Sequence, residues 1–221
     1  TATTTANITA KALAVTISGG SKTYDGNTSA TVTYADNRIA GDVFTVSGTA
    51  TYPSKTVGTK TITASSITLS GTDAGNYSQN TSTTVSGTIS SRSLTVTISA
   101  SNKTYDALTA ATVTYLDDRV TGDILTVSGT ANFDTKNVGT GKTVTATGII
   151  IAGTDSGNYT RNTTATTTAN ITLRSLNVTI SATSKTYDAL TAATVTYSDN
   201  RVAGDSFTVS GTANFDTKNW G

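Results

Sequence analysis

The sequence contains no cysteine, histidine, methionine or glutamate, one proline (Pro53) and one glutamine (Gln79). Without cysteine there is no disulfide to staple a small core and no thiolate for catalysis or zinc. Without histidine and glutamate the commonest general bases and metal ligands are missing as well. Charge is scarce: all 14 acidic residues are aspartate, and charged residues make up 13% of the chain, about half the usual share. The formal net charge is +1, and the 15 basic residues are spread along the chain. A phosphate-binding surface needs clustered lysine and arginine, so nucleic acid is not an expected partner. No apolar run reaches membrane length, so membrane insertion is not expected either. The missing sulfur suits a life outside the cell, where thioethers and thiols oxidise, and equally suits a low-sulfur host.

Hydroxyl residues fill the space left by these absences: 54 threonines and 24 serines among 221 residues. Threonine, valine, isoleucine and tyrosine favour strands. Aspartate, asparagine and glycine supply turns, and the strong helix formers are few. The composition is all-β.

The chain also repeats itself. Lys22-Thr23-Tyr24-Asp25 returns as Lys103-Thr104-Tyr105-Asp106 and as Lys185-Thr186-Tyr187-Asp188, with tyrosines 81 and then 82 residues apart. Gly71-Thr72-Asp73-Ala74-Gly75-Asn76-Tyr77 returns as Gly153-Thr154-Asp155-Ser156-Gly157-Asn158-Tyr159. A period this long is a small domain rather than one solenoid coil. Lys11, Arg92 and Arg174 each open a run of the type x-Leu-x-Val-Thr-Ile-Ser, which sets module one at residues 11–91, module two at 92–173 and a partial module three at 174–221. Ala6-Asn7-Ile8-Thr9 equals Ala169-Asn170-Ile171-Thr172, the end of module two, so residues 1–10 read as the last strand of a preceding module. Module one lacks one glycine where module two has Gly139-Thr140-Gly141-Lys142, which predicts an exposed hairpin loop there. Trp220 stands where the other copies carry Val57 and Val138; nothing in the sequence explains it.

Alternation fixes the strand faces. In Leu13-Ala14-Val15-Thr16-Ile17 the odd positions are apolar, and Val32 with Tyr34, Phe44 with Val46, Ile62 with Ala64, Ile67 with Leu69, and Val85 with Gly87 and Ile89 follow suit. Six or seven short strands per module, with turn signals roughly every ten residues, predict tandem small immunoglobulin-like β-sandwiches. A β-grasp-like module is the alternative, but it needs a helix, and no segment has a 3.6-residue apolar period. Consecutive modules join without a glycine- or proline-rich spacer, which predicts stiff coupling.

Candidate sites are few. Tyr77 and Tyr159, each four residues after an aspartate, are placed to form a tyrosine corner. Asp25, Asp42, Asp106 and Asp123 recur with the period and offer hard oxygen ligands, making calcium the one cofactor to weigh. No Asp-x-Asp-x-Asp spacing occurs, and aspartate is also an ordinary turn residue. Lys22, Lys103 and Lys185 would suit a lysine crosslink, but the buried acid this reaction wants, usually glutamate, is missing. Nine Asn-x-Ser/Thr triplets occur, with Asn76 and Asn158 at equivalent positions as glycosylation candidates. No set of residues fills the roles of an active site, so no enzyme is expected.

Taken in order, Lys-x-Tyr-Asp, Gly-Asp, Val-Ser-Gly-x-Ala-x-Phe, Asn-Val-Gly-Thr-Gly-Lys, Gly-x-Asp-x-Gly-Asn-Tyr and Ile-Thr resemble the YDG repeat of bacterial, filamentous-haemagglutinin-like surface adhesins. Module two carries nearly every element, and the resemblance covers essentially the whole chain. The name-giving triplet departs from the pattern in Tyr105-Asp106-Ala107 and Tyr187-Asp188-Ala189, where alanine disfavours the positive φ a glycine would take. The resemblance implies an extracellular or cell-surface role in a bacterium and brings no catalytic residue. The expected function is a structural segment acting as spacer or fibre. The alternatives are a multivalent array binding host or environmental glycans or proteins, and a self-assembling fibre in which copies exchange strands.

Overall fold

In module one the alternating faces become strands. The computed structural model describes residues 2–219, and Trp220 lies outside them. The strands of module one are β1 (Lys11–Leu13), β2 (Val15–Gly19), β3 (Lys22–Thr23), β4 (Val32–Asp36), β5 (Thr45–Thr51), β6 (Gly58–Ser70), β7 (Tyr77–Gln79) and β8 (Ser82–Ser90). A single 3-10 turn, Ala74–Asn76, precedes β7. Four strands form one sheet in the order β3-β8-β6-β5; β2 pairs with β4, and β1 with β7. Most pairs are antiparallel, but β3 runs parallel to β8 (Lys22 opposite Ile89) and β1 parallel to β7 (Lys11 opposite Tyr77). The buried face consists of the residues that alternation selects: Leu13, Val15 and Ile17 from the first strands, Ile62, Ala64 and Ile67 from β6, and Ile89 from β8. Their threonine and serine neighbours face water.

Ile62-Ala64 and Ile67-Leu69 lie on one strand, and the change of parity between them has a local cause. It is a β-bulge inside β6: the pairing with β5 shifts between Ser47 and Thr49, and Ser66 takes φ 51°. One extra residue restores the inward face after the parity change.

Module two repeats the order with β9 (Arg92–Leu94), β10 (Val96–Ala100), β11 (Lys103–Thr104), β12 (Val113–Asp117), β13 (Thr126–Phe133), β14 (Gly139–Ala152), β15 (Tyr159–Arg161) and β16 (Ala165–Thr172). Its sheet order is β11-β16-β14-β13. The glycine absent from module one does not lengthen a hairpin loop. Gly141 sits in a bulge at the start of β14, where the pairing with β16 shifts between Gly139 and Lys142. In module three, β17 (Val178–Ala182) pairs with β18 (Val195–Asp199). Val178 and Ile180, whose counterparts Val15 and Ile17 are buried, are 40% and 59% exposed. No helix among the described residues is long and apolar enough to cross a membrane.

Contact density divides the chain into two compact units that cut across the repeats. The first comprises residues up to Val96, Asp117–Ser128 and Ile149–Thr163. The second comprises Thr97–Leu116, Gly129–Gly148 and residues from Thr164 onward. The first unit thus holds all of module one together with one end of module two.

Left-handed backbone at a non-glycine residue costs about 1–2 kcal/mol, and module two places Gly148 (φ 61°) where module one has Ser66. Ser66→Gly is expected to stabilise module one by about 0.5–1 kcal/mol after the entropy of glycine is counted, and Gly148→Ser to destabilise module two by a similar amount. Urea unfolding midpoints of the full chain check both.

Candidate functional site

The lysine of each repeat motif organises a turn. In module one, Lys22 Nζ donates to Asp25 Oδ1 (2.8 Å), to the Asn27 carbonyl (2.9 Å) and to Asn27 Oδ1 (2.9 Å). Asp25 Oδ1 also accepts the Asn27 N–H (3.1 Å). The Tyr24 N–H donates to the Ser90 carbonyl (2.9 Å), anchoring the turn to β8. Gly26 lies at φ 80°. Module two builds the same turn from Lys103, Asp106 and the Leu108 N–H, and module three from Lys185, Asp188 and the Leu190 N–H. Ala107 and Ala189 keep the left-handed conformation at φ 64° and 63°. The lysine and aspartate bonds therefore hold the turn geometry without the glycine.

The turn projects its tyrosine at the end of the module. In the first compact unit that tyrosine meets the facing end of module two. Tyr24, 1% exposed, has its hydroxyl 2.9 and 2.8 Å from the two oxygens of Asp123. Lys55 Nζ lies 2.8 Å from Asp123 Oδ1 and 3.2 Å from Asp155 Oδ1. The Val57 N–H donates to Asn158 Oδ1 (3.0 Å). Tyr24 and Tyr159 pack edge to face at 5.4 Å. A Cβ on Gly26 would come within 2.7 Å of Val120 Cγ1, so glycine here serves close approach as well as turn geometry.

The receiving surface is held from behind. The Tyr159 hydroxyl accepts the Val120 N–H (2.9 Å) and donates to Asp123 Oδ2 (2.6 Å). The Ile124 N–H donates to Asp155 Oδ2 (2.9 Å). Arg119 grips Asp117 and donates to the Leu125 carbonyl (2.6 Å). This Asp-x-Arg pair recurs as Asp36–Arg38 and Asp199–Arg201; it was legible as a repeated triplet but carried no signal of its role. The Gly-Asp and Gly-Thr-Asp-x-Gly-Asn-Tyr motifs together form a socket, and the Lys-Thr-Tyr-Asp turn is the plug.

Electrostatics follow the geometry. Burial alone would raise the Asp123 carboxyl, but the bonds from Lys55, Tyr159 and Tyr24 outweigh it and hold the group below the usual range. Burial, reinforced by Asp123, pushes the Tyr159 phenol up to about 12. The same two causes raise Tyr24, and the bond to Asp123 raises Lys55.

The tyrosine-corner residues Tyr77 and Tyr159 are thus buried, but their hydroxyls do not return to backbone a few residues upstream. They reach Ile39 and Val120, 38 and 39 residues back, and a carboxylate beside each: Asp42 for Tyr77, Asp123 for Tyr159. Of the aspartates weighed for calcium, Asp25 and Asp106 face their own turn lysines, Asp123 faces Lys55 and two tyrosines, and Asp42 faces Tyr77. Among the described residues no three candidate ligands cluster. Asn158 is 4% exposed and its amide oxygen is occupied by Val57, so a sugar there would displace module one; Asn76 is exposed.

The YDG domain family matches this chain twice, over residues 9–85 and 90–169. The chain belongs to the YDG domain family. The two matches fall on modules one and two, and the triplet that names the family is the plug of the junction. No curated protein and no solved structure matches the chain.

The second compact unit holds the equivalent Lys103-Thr104-Tyr105-Asp106 turn, with Tyr105 donating to Asp205 Oδ1 (2.7 Å). A cleft of about 360 Å³ lies beside Tyr105, lined by Val138, Leu176, Val202 and Phe207.

Removing a hydrogen-bonding partner from a buried charge costs about 1–3 kcal/mol, and leaving the charge unpaired costs more. Tyr24→Phe is expected to destabilise the first unit by about 1–2 kcal/mol. Combined with Asp123→Asn, it should show a coupling energy of at least about 0.5 kcal/mol in a double-mutant cycle measured by urea unfolding. Additivity would place the two residues outside one network.

The pH dependence has two limbs. The lowered Asp123 pKa contributes stability that is present above about 4 and lost as pH falls through its folded value. The raised Tyr159 pKa contributes stability that is present below about 10 and lost as pH rises toward about 12. Melting temperature against pH is expected to be flat between these limits and to fall at both ends, with a smaller acid loss in Asp123→Asn.

Proposed function

We propose that this YDG segment is a structural, non-catalytic part of an extracellular bacterial adhesin or surface filament of filamentous-haemagglutinin-like type, in which each module is a small immunoglobulin-like sandwich and the array supplies reach. The observation that supports this reading best is where the signature residues are spent. Tyr24, Asp123, Asp155, Asn158 and Tyr159, the residues that define the repeat, are all buried in one junction. A multivalent binder needs an exposed aromatic patch or groove on every copy. In modules one and two every tyrosine and phenylalanine is buried or half-buried, so the aromatic surface goes to cores and junctions. The threonine-rich outer faces of the strands suit a surface that must stay wet and inert over a long span.

Small-angle scattering tests the reading. A compact globule of 221 residues has a radius of gyration of about 17 Å. The spacer reading expects a value well above this, with a rod-like cross-section. A value near the globular one would sink it.

A further inference from the structure

The first and last strands of a module run side by side in the same direction. In module one β1 pairs in parallel with β7, from Lys11 opposite Tyr77 to Leu13 opposite Gln79. The Asn80 N–H then donates to the Leu13 carbonyl (3.4 Å). The Asn80 side chain carries the ladder one step further. Its Oδ1 accepts the Val15 N–H (2.7 Å) and its Nδ2 donates to the Val15 carbonyl (3.1 Å), so a side-chain amide stands in for a backbone peptide. After a gap, in which β2 pairs with β4 instead, the ladder resumes. The Thr88 N–H donates to Ser21 Oγ (3.1 Å), and β3 pairs in parallel with β8 at Lys22–Ile89 and Thr23–Ser90. The Tyr24 N–H closes the run on the Ser90 carbonyl (2.9 Å).

Module two repeats the main parts. Arg92 lies opposite Tyr159 and Leu94 opposite Arg161. Asn162 Oδ1 accepts the Val96 N–H (2.7 Å), and its Nδ2 donates to the Val96 carbonyl (2.9 Å). Lys103 lies opposite Ile171 and Thr104 opposite Thr172, and the Tyr105 N–H donates to the Thr172 carbonyl (2.9 Å). All these bonds lie within a module, so they are the same whatever precedes or follows it.

The arrangement has a mechanical meaning. The chain enters module one at Lys11, beside the first residue of β7, and leaves past Ser90, beside the last residue of β3. These points are at opposite ends of the shared ladder. Tension along the chain therefore drags the two strands past each other, against hydrogen bonds that run from strand to strand. Bonds loaded together must fail together, whereas a pair pulled apart from one end breaks bond by bond. Only Ser91 separates β8 from β9, so load leaving one ladder enters the next without a soft spacer. We propose that each complete module is a tension-bearing element, and that the parallel ladder between its first and last strands is the clamp. The spacer reading asks only for length. Resistance to load goes beyond it, and either can stand without the other.

The test is single-molecule pulling of the full chain in two directions. The sequence has no cysteine, so paired substitutions give unique handles. Ala10→Cys with Ser91→Cys loads the ladder of module one in shear. Thr45→Cys with Ser70→Cys loads the open end of the β5–β6 pair, where β5 is the edge strand and Thr45 faces Ser70. All four positions are exposed. Forced unfolding reports the unfolding barrier rather than the equilibrium, so one fold of one stability can give two forces. At equal loading rate the shear pair is expected to need several-fold more force than the hairpin pair. Equal forces, or a weaker shear direction, overturn the proposal. Asn80→Ala, added to both, is expected to lower the shear force and leave the hairpin force unchanged. A loss of the same size in both directions, or in neither, overturns the assignment of Asn80 to the clamp.

Discussion

The Asp123 carboxylate is the point on which the junction turns. A buried charge costs several kcal/mol unless its oxygens are met by good donors. Asp123 has three: the Tyr159 hydroxyl from its own module, and the Tyr24 hydroxyl and Lys55 ammonium from the module before. Two of the three donors are therefore borrowed. This end of module two is completed by module one, and the compact unit that holds all of module one also claims the Asp117–Ser128 and Ile149–Thr163 segments of module two. The same aspartate in module one, Asp42, accepts from its own Tyr77, as Asp123 does from Tyr159.

A junction of this kind needs a tyrosine delivered at a fixed angle, and the turn before it supplies that rigidity. Lys22 spans the turn with bonds to Asp25 and Asn27, while β3 is pinned to β8 through Lys22–Ile89 and Thr23–Ser90. The alanines of the later copies test the point. Ala107 and Ala189 adopt the same left-handed backbone as Gly26, so the bonds of the turn outweigh a local penalty of about 1–2 kcal/mol. Lysine and aspartate, present in all three copies, set the geometry; glycine eases it and lets Val120 approach.

Much of the fold was legible in the chain. Strand alternation picked out Leu13, Val15, Ile17, Ile62, Ala64, Ile67 and Ile89, and all are buried. What alternation could not show was continuity: a parity change looks the same whether it marks a turn or a bulge, and β6 carries a bulge. The extra glycine of module two was misplaced for the same reason, since an inserted residue fits a loop and a bulge equally well. The site was harder to read. Tyr24 and the aspartates stood out as periodic, but a period says nothing about which copy a residue addresses. Tyr24 bonds Asp123, not Asp42, and a sequence that repeats both residues every module is silent between the two. Lys55 gave no signal either, because nothing in its local pattern separates a solvated lysine from one that bridges two carboxylates.

This ambiguity has a physical consequence. In a linear array, stability is a sum of module terms and neighbour terms, and here the residues that look most like a module's own signature contribute to the neighbour term. Substituting one of them therefore weakens a junction before it weakens a core. Module one keeps Leu13, Ile62 and Ile89 whether or not Tyr24 finds its partner, because those side chains are buried by its own strands. The hydrophobic residues specify that each repeat folds; the polar signature specifies that one repeat meets the next in a single register. A motif that could pass for a turn, a metal ligand or a corner is best explained as the contact that makes a repeat useful only in company.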